Sequence, residues 1–335
     1  MNRRHYLRIL STMFATTALG GCTVVNTGDG KPTPQHPGNH YDEDLDIPPM
    51  PNEESHCFFL VSDLGRNGYY QQKPIAEMMG LLAEKTGPEF IITAGDTHHF
   101  NGVASVNDPL WMTNYELIYS HPELMIEWQA INGNHEYRGN TQAVLDYGKV
   151  SRRWIIPSRY YSKVEEAGDN ESILIVFIDT TPLIDRYREN PETYPDAIKQ
   201  DVDAQLRWID ETLAASQEKW KIVVGHHPVF ADTDKLESER LDMQKRVMPL
   251  LEKHGVDMYF CGHIHNFQHI KPAGGKVDYV VNSAASLARP VNPIEDTVFC
   301  SPYEGFTFIV ASDKELTFDF INGKGEIIYS YTKKK

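Results

Sequence analysis

The chain of 335 residues is 41% apolar, 24% charged and 11% aromatic, a globular composition that excludes disorder of the whole. Its four cysteines are too few for a small disulfide scaffold. With 32 Lys and Arg against 47 Asp and Glu the net charge is −15, which argues against extended nucleic acid as a partner, while 14 histidines are an unusual count.

Arg3, Arg4 and Arg8 precede an apolar run over residues 9–21 that is too short to span a bilayer, so residues 1–21 read as a signal peptide. The run ends in Leu19-Gly20-Gly21-Cys22, which resembles a bacterial lipobox with Cys22 as the lipidated residue. That implies a protein held at the bacterial cell envelope by a lipid anchor. Losing three arginines and no acid leaves 29 bases against 47 acids, a mature charge of −18. Residues 22–54 carry many glycines and prolines with little apolar periodicity and read as a tether, leaving 55–335 for the folded domain. Cys57, Cys261 and Cys300 are an odd number, so at most one disulfide forms among them.

Within the domain, apolar runs rich in β-branched and aromatic residues predict strands buried on both faces at 57–61, 90–92, 173–178, 222–224 and 258–260. Helices are expected between them. Pro74 opens one with Ile75, Met78, Met79 and Leu82 on a face and Gly87 after its end. Val202, Leu206, Ile209 and Leu213 mark a second; Leu241, Met248 and Leu251, stopping at Gly255, mark a third. The alternation implies a layered α/β domain. From Tyr279 onward strands follow strands (279–281, 306–310, 316–320, 327–329), which predicts an antiparallel, meander-like second sheet.

The polar residues just after these strands carry the chemistry. Asp63 and Gly65 follow the first run, and Gly95-Asp96-Thr97-His98-His99 the second. Asn132-Gly133-Asn134-His135-Glu136 follows the run 128–131, Gly225-His226-His227 follows Val224, and Gly262-His263-Ile264-His265 follows Cys261. Ligands bind beyond the carboxyl ends of strands in open α/β sheets, so these groups can converge. Oxygen and imidazole donors without cysteine suit Mn, Fe or Zn. With Asp96 bridging, they suffice for two ions ~3.5–4 Å apart, the arrangement that clamps an in-line displacement at phosphorus.

Asp63-x-Gly65, Gly95-Asp96, Gly133-Asn134-His135-Glu136, Val223-x-x-His226 and Gly262-His263-x-His265 resemble the five blocks of the purple acid phosphatases, within the calcineurin-like metallophosphoesterases. Flanking segments at 151–158 and 261–268 are similar to the small, tartrate-resistant type, and the resemblance runs over about residues 56–332. It implies an α/β sandwich of two mixed β-sheets flanked by helices. It also implies a first ion on Asp63, Asp96 and His265, and a second on Asp96, Asn134, His226 and His263. A hydroxide held by the ions would be the nucleophile and His135 the general acid, with Asn134 and His135 contacting a small phosphorylated substrate.

The sequence departs from that family at two positions. The purple enzymes carry Gly-Asp-x-x-Tyr, whose phenolate binds ferric iron and gives the colour; here His99 stands three residues after Asp96. His99 would supply a neutral imidazole to the first ion, favouring divalent metals and removing the colour, while His98 or His99 as a plain pocket residue is the alternative. The other departure is Lys235, which stands where the tartrate-resistant type has a further histidine near the phosphate, unless the loop 231–239 is simply a solvated charged turn. His227 reads as a pocket or core histidine. The leading function is hydrolysis of phosphate monoesters; a phosphodiesterase or nucleotidase on the same ions, or an envelope binding lipoprotein without catalysis, would also fit.

Overall fold

A computed structural model of the chain describes residues 45–50, 55–168 and 170–335. The expected signal peptide, Cys22 and most of the expected tether lie outside the described residues. Of that tether, residues 45–50 lie along the domain: Asp46 N donates to Gly325 O (3.2 Å), Asp46 Oδ2 accepts from Ile327 N (2.9 Å), and Leu45 and Met50 pack on the core. Among the described residues no helix is long and apolar enough to cross a membrane, and no disulfide joins Cys57, Cys261 and Cys300.

The chain first lays down β1 (His56–Val61), β2 (Phe90–Thr93), β3 (Glu127–Ala130) and β4 (Trp154–Ile155), all parallel. A second sheet follows from β5 (Tyr161–Glu166), β6 (Ser172–Phe177), β7 (Trp220–Val224), β8 (Met258–Cys261), β9 (Phe267–Ile270), β10 (Asp278–Val281) and β11 (Thr297–Ser301). Its order is β11-β9-β10-β8-β7-β6-β5, parallel from β6 through β10. The chain then returns as β12 (Gly305–Ala311), β13 (Glu315–Asn322) and β14 (Ile327–Lys334), giving the first sheet the order β14-β13-β12-β1-β2-β3-β4.

The last strands therefore correct one expectation. β12–β14 do form an antiparallel meander, but β12 pairs antiparallel with β1 (Phe58↔Ile309, Leu60↔Thr307) and extends the first sheet. Tyr279–Val281 belongs to the other sheet, parallel to β8. Pairing between strands some 250 residues apart in sequence leaves no local signature, because alternation fixes which side chains face inward and not which neighbour a strand finds.

Continuous apolarity has the expected cause. In β6, Ile173, Ile175 and Phe177 enter the core between the sheets, while Leu174 and Val176 face the outer helices. Strand β7 repeats this with Trp220, Ile222 and Val224 inside and Val223 outside. The first helix, Gln72–Thr86, turns Ile75, Met78, Met79 and Leu82 onto the first sheet and ends at Gly87 with φ 60°. The second, Val202–Ala215, is capped by Asp201, whose side chain accepts from Ala204 N at 2.9 Å. The expected third helix is two, Glu237–Arg246 and Met248–Lys253. Pro249 lacks the N–H that would continue the ladder, so the chain restarts at Met248.

One buried carboxylate pins the sheets together. Asp278 in β10 accepts from His269 Nε2 (3.0 Å) in β9 and from Lys333 Nζ (3.0 Å) in β14, while His269 Nδ1 meets Tyr329 Oη at 2.8 Å. Burial raises the Asp278 pKa, but the His269 bond and the Lys333 charge outweigh it and hold the group at about 2. A depressed carboxyl stabilises the fold above its unfolded pKa and loses that contribution as pH falls from about 4 towards 2. Asp278→Asn should therefore cost about 1–2 kcal/mol in urea denaturation at pH 7, allowing for solvent around the lysine, and nearly nothing at pH 2. Equal losses at both pH values would contradict the assignment.

Candidate metal centre

Asp63 follows β1, Asp96 and His99 follow β2, Asn134 and His135 follow β3, His226 follows β7, and His263 and His265 follow β8. The parallel strands of each sheet bring these ends together, and all eight residues are buried. Asp63, Asp96, His263 and His265 hold φ values of 52°, 53°, 73° and 60°. Residues other than glycine rarely adopt this left-handed region, so the turns carry strain that the surrounding structure must impose. Close approach adds a second constraint: a Cβ at Gly133 would come within 2.2 Å of Asp96 Oδ1. A Cβ at Gly65 would meet Thr97 O at 2.0 Å, so this backbone admits no histidine there.

Asp96 stands at the centre. Its Oδ1 accepts from His135 N at 2.8 Å, and its Oδ2 lies 3.2 Å from His226 Nε2, 3.6 Å from His99 Nε2 and 3.8 Å from His135 Nε2. Asp63 accepts from His263 N through Oδ2 (2.8 Å), and its Oδ1 lies 3.2 Å from His265 Nε2. Burial raises both carboxyls, but for Asp63 the charge and bond of His265, and for Asp96 the charges of His226 and His135, bring each well below the carboxylate range. His226 is itself held up, at about 9, because the Asp96 charge outweighs burial.

The histidines are oriented from behind. Carbonyl oxygens only accept, so His226 Nδ1 donates to Ala94 O (2.7 Å), His265 Nδ1 to Leu287 O (2.9 Å) and His135 Nδ1 to Phe100 O (2.6 Å). Each Nε2 is thereby left facing the cluster. His263 is turned the other way: its Nε2 meets Glu239 Oε2 at 2.9 Å and its Nδ1 has no hydrogen-bond partner. His226 Nε2 also lies 3.2 Å from Asn134 Oδ1.

The two histidines after Asp96 separate cleanly. His99 joins Asp63 and His265 in a set whose donor atoms all lie within 4.8 Å of one another, and neither of its ring nitrogens has a hydrogen-bond partner. His98 points into the core, its ring edge-on to Trp111 at 4.3 Å, and burial lowers its pKa to about 3. His227 lies beside His226 and His263, but Thr180 Oγ1 (2.8 Å) and Tyr187 Oη (3.1 Å) occupy both ring nitrogens. Lys235 is half-buried near the cluster; burial, then Arg289, lower its pKa against the pull of Asp96 and Glu239.

Two glutamates went unassigned in the sequence. Glu136 accepts from Asp96 N (2.9 Å), Gly133 N (2.7 Å) and His98 N (3.0 Å), clamping the β2 and β3 loops to one carboxylate. Burial, then the Asp96 charge, push it up to about 7. Glu239 accepts from Tyr187 Oη (2.9 Å) and pairs with Arg186 while it holds His263. Glu136 was legible as part of its motif but not as a clamp; Glu239, in a charged stretch, gave no signal.

Buried nitrogens without partners, as at His99 and His263, are rare in folded proteins. His99 Nε2 lies 3.6 Å from the Asp96 carboxylate and His263 stands with His226, and the donors of the cluster are imidazole, carboxylate and amide, a set that fits first-row divalent cations. Among known proteins, the family description calcineurin-like phosphoesterase matches residues 58–267. Purple acid phosphatase 17 of Arabidopsis thaliana is 30% identical over 310 residues, 86% of this chain and 87% of that one. Tartrate-resistant acid phosphatase type 5 of Homo sapiens is 32% identical over 275 residues, 77% and 81% of the two chains. Two solved structures share the fold. The protein described as GAP50, the anchor in the inner membrane complex of Plasmodium, has a TM-score of 0.73 at 21% identity, covering 84% of this chain and 89% of that one. A purple acid phosphatase from yellow lupin (Lupinus luteus) seeds has 0.59 at 16%, covering 85% and 55%.

Proposed function

The chain belongs to the calcineurin-like phosphoesterases, dinuclear-metal phosphatases among them, and on that footing we propose that it hydrolyses phosphate monoesters with His135 as the proton donor. The observation that carries this reading is the placement of His135. Its Nδ1 is fixed by Phe100 O, and its Nε2 faces the carboxylate that lies between the two ligand sets. A proton held on Nε2 is thus aimed at the ester's leaving oxygen.

Asp63, Asp96, His99 and His265 would hold one ion, and Asp96, Asn134, His226 and His263 the other, with Fe, Zn or Mn as the expected metals. When bound, they supply the positive charge that draws in the phosphoryl group and make water nucleophilic near neutral pH. The chain's own contribution is to hold the ligand histidines in one tautomer, keep bulk water out by burial, and set Asn134, His135 and Lys235 around the phosphate. With metal restored, the protein should cleave 4-nitrophenyl phosphate well ahead of its bis ester; clear preference for the diester would reverse the reading in favour of a phosphodiesterase.

His99 sets the character of the first ion. A neutral imidazole in place of a phenolate leaves two carboxylates as the anionic ligands, which weakens the hold on ferric iron. The iron-loaded protein should show no intense visible band, and His99→Tyr should gain one; a purple wild-type protein would overturn the role of His99. The same proposal keeps the domain at the bacterial cell envelope on a lipid at Cys22, which membrane fractionation of Cys22→Ala tests: a variant still sedimenting with membranes argues against it.

A further inference from the structure

Arg66 stands three residues after Asp63, and it is only 9% exposed. Among the described residues no carboxylate forms an ion pair with it, and its Nε has no hydrogen-bond partner. Its guanidinium lies 4.8 Å from the centre of the Phe100 ring. Burial of a cation without an ion pair is costly; the Asp63 and Asp96 charges act on this one without pairing with it. An anion brought by a ligand would complete it.

Arg66 sits in the wall of a cavity of about 450 Å³ shared with Tyr69, Tyr70, His99 and Phe100. Tyr69, Tyr70 and Phe100 are 71%, 62% and 64% exposed, so three large aromatic residues rim one opening. Tyr70 holds φ 56°, a conformation that a side chain of its size seldom takes, and Asn67 holds φ 54°. The turn is nonetheless fixed: Asn67 N donates to Asn114 Oδ1 (2.7 Å), and Gly68 N and Arg66 N both donate to Gln72 Oε1 (2.7 and 3.2 Å). The backbone that carries the tyrosines of the rim is therefore held in place.

The cavity adjoins the proton donor. Phe100 O is the acceptor that fixes His135, and the His99 and His135 rings are 4.2 Å apart. A group bonded to an oxygen within reach of His135 would have this space beside it. Resting on the phosphatase reading above, we propose that this cavity is a leaving-group subsite, selecting phosphate monoesters whose leaving group is a flat ring bearing a second negative charge. The ring lies against Tyr70 and Phe100, and the charge pairs with Arg66.

Three monoesters test this on the metal-loaded protein: glycerol 2-phosphate, phenyl phosphate and 3-carboxyphenyl phosphate. The two phenols are of similar acidity, so their ratio reports recognition of the carboxylate. We expect kcat/KM for the carboxyphenyl ester to exceed that for the phenyl ester by ~10-fold, the size of one charge-assisted pair. Arg66→Gln should bring that ratio to about 1, and Tyr70→Asn, which tolerates the left-handed backbone, should lower both aryl esters relative to glycerol 2-phosphate. A wild-type ratio near 1, or a ratio that survives Arg66→Gln, would overturn the subsite; an equal fall for all three esters at an unchanged ratio would mean that Arg66 serves the transferred phosphate. Turnover of glycerol 2-phosphate without carboxylate preference defeats the subsite alone, whereas hydrolysis of none of the three defeats the phosphatase reading with it.

Discussion

His135→Ala should lower kcat for glycerol 2-phosphate by ~10²–10³-fold while the protein keeps both metal ions, because the imidazole donates a proton and is not counted among the ligands. The size of the loss depends on the leaving group. An alkoxide cannot depart unprotonated, so the alkyl ester feels the full effect; a nitrophenolate leaves readily, so 4-nitrophenyl phosphate should lose much less. A structural role for His135 would lower both esters alike, and that result would remove it as the acid. The pH profile offers an independent reading. Burial lowers the His135 pKa below the ordinary imidazole value, with the Asp96 charge opposing it. A group that must be protonated to act loses activity as pH rises through its pKa, so the wild-type profile should fall on the alkaline side from below about 6.5, and this limb should be absent in the alanine variant.

Asp96→Asn should empty the centre. Its carboxylate lies within 4 Å of the side chains of His226, His99 and His135, and so reaches histidines of both ligand sets. The amide keeps the shape and one acceptor oxygen but removes the charge that offsets two cations. Activity should fall by more than ~10²-fold, the upper range for changes one shell further out, and elemental analysis should find well under two equivalents of metal. Retention of two tightly held ions would show that Asp96 does not bridge. The structure argues against general unfolding as the cause, since Glu136 continues to clamp the backbone of Asp96, Gly133 and His98.

Much of this site could be read from the residues in order. Asp63, Asp96, Asn134, His226, His263 and His265 each follow an apolar run, and strands buried on both faces must deliver their ends to a common edge. The helix at 202–215 and the stop at Gly87 were equally legible, since 3.6-residue spacing and a left-handed glycine are local properties. The break before Met248 was available in Pro249 but was overridden by the apolar spacing on either side.

What the sequence by itself determined is the set of chemical groups and their attachment to strand ends, because alternation, caps and motifs act over a few residues. The tertiary structure alone decided how β12 joins β1, which of His98 and His99 faces the carboxylates, and that His263 presents Nδ1 because Glu239 holds its other nitrogen. It also decided that Arg66 is buried without a partner beside an aromatic rim. Those outcomes depend on contacts between segments far apart in the chain. Their energies come from burial and charge at a specific place, and a linear pattern does not encode which distant residue will occupy it.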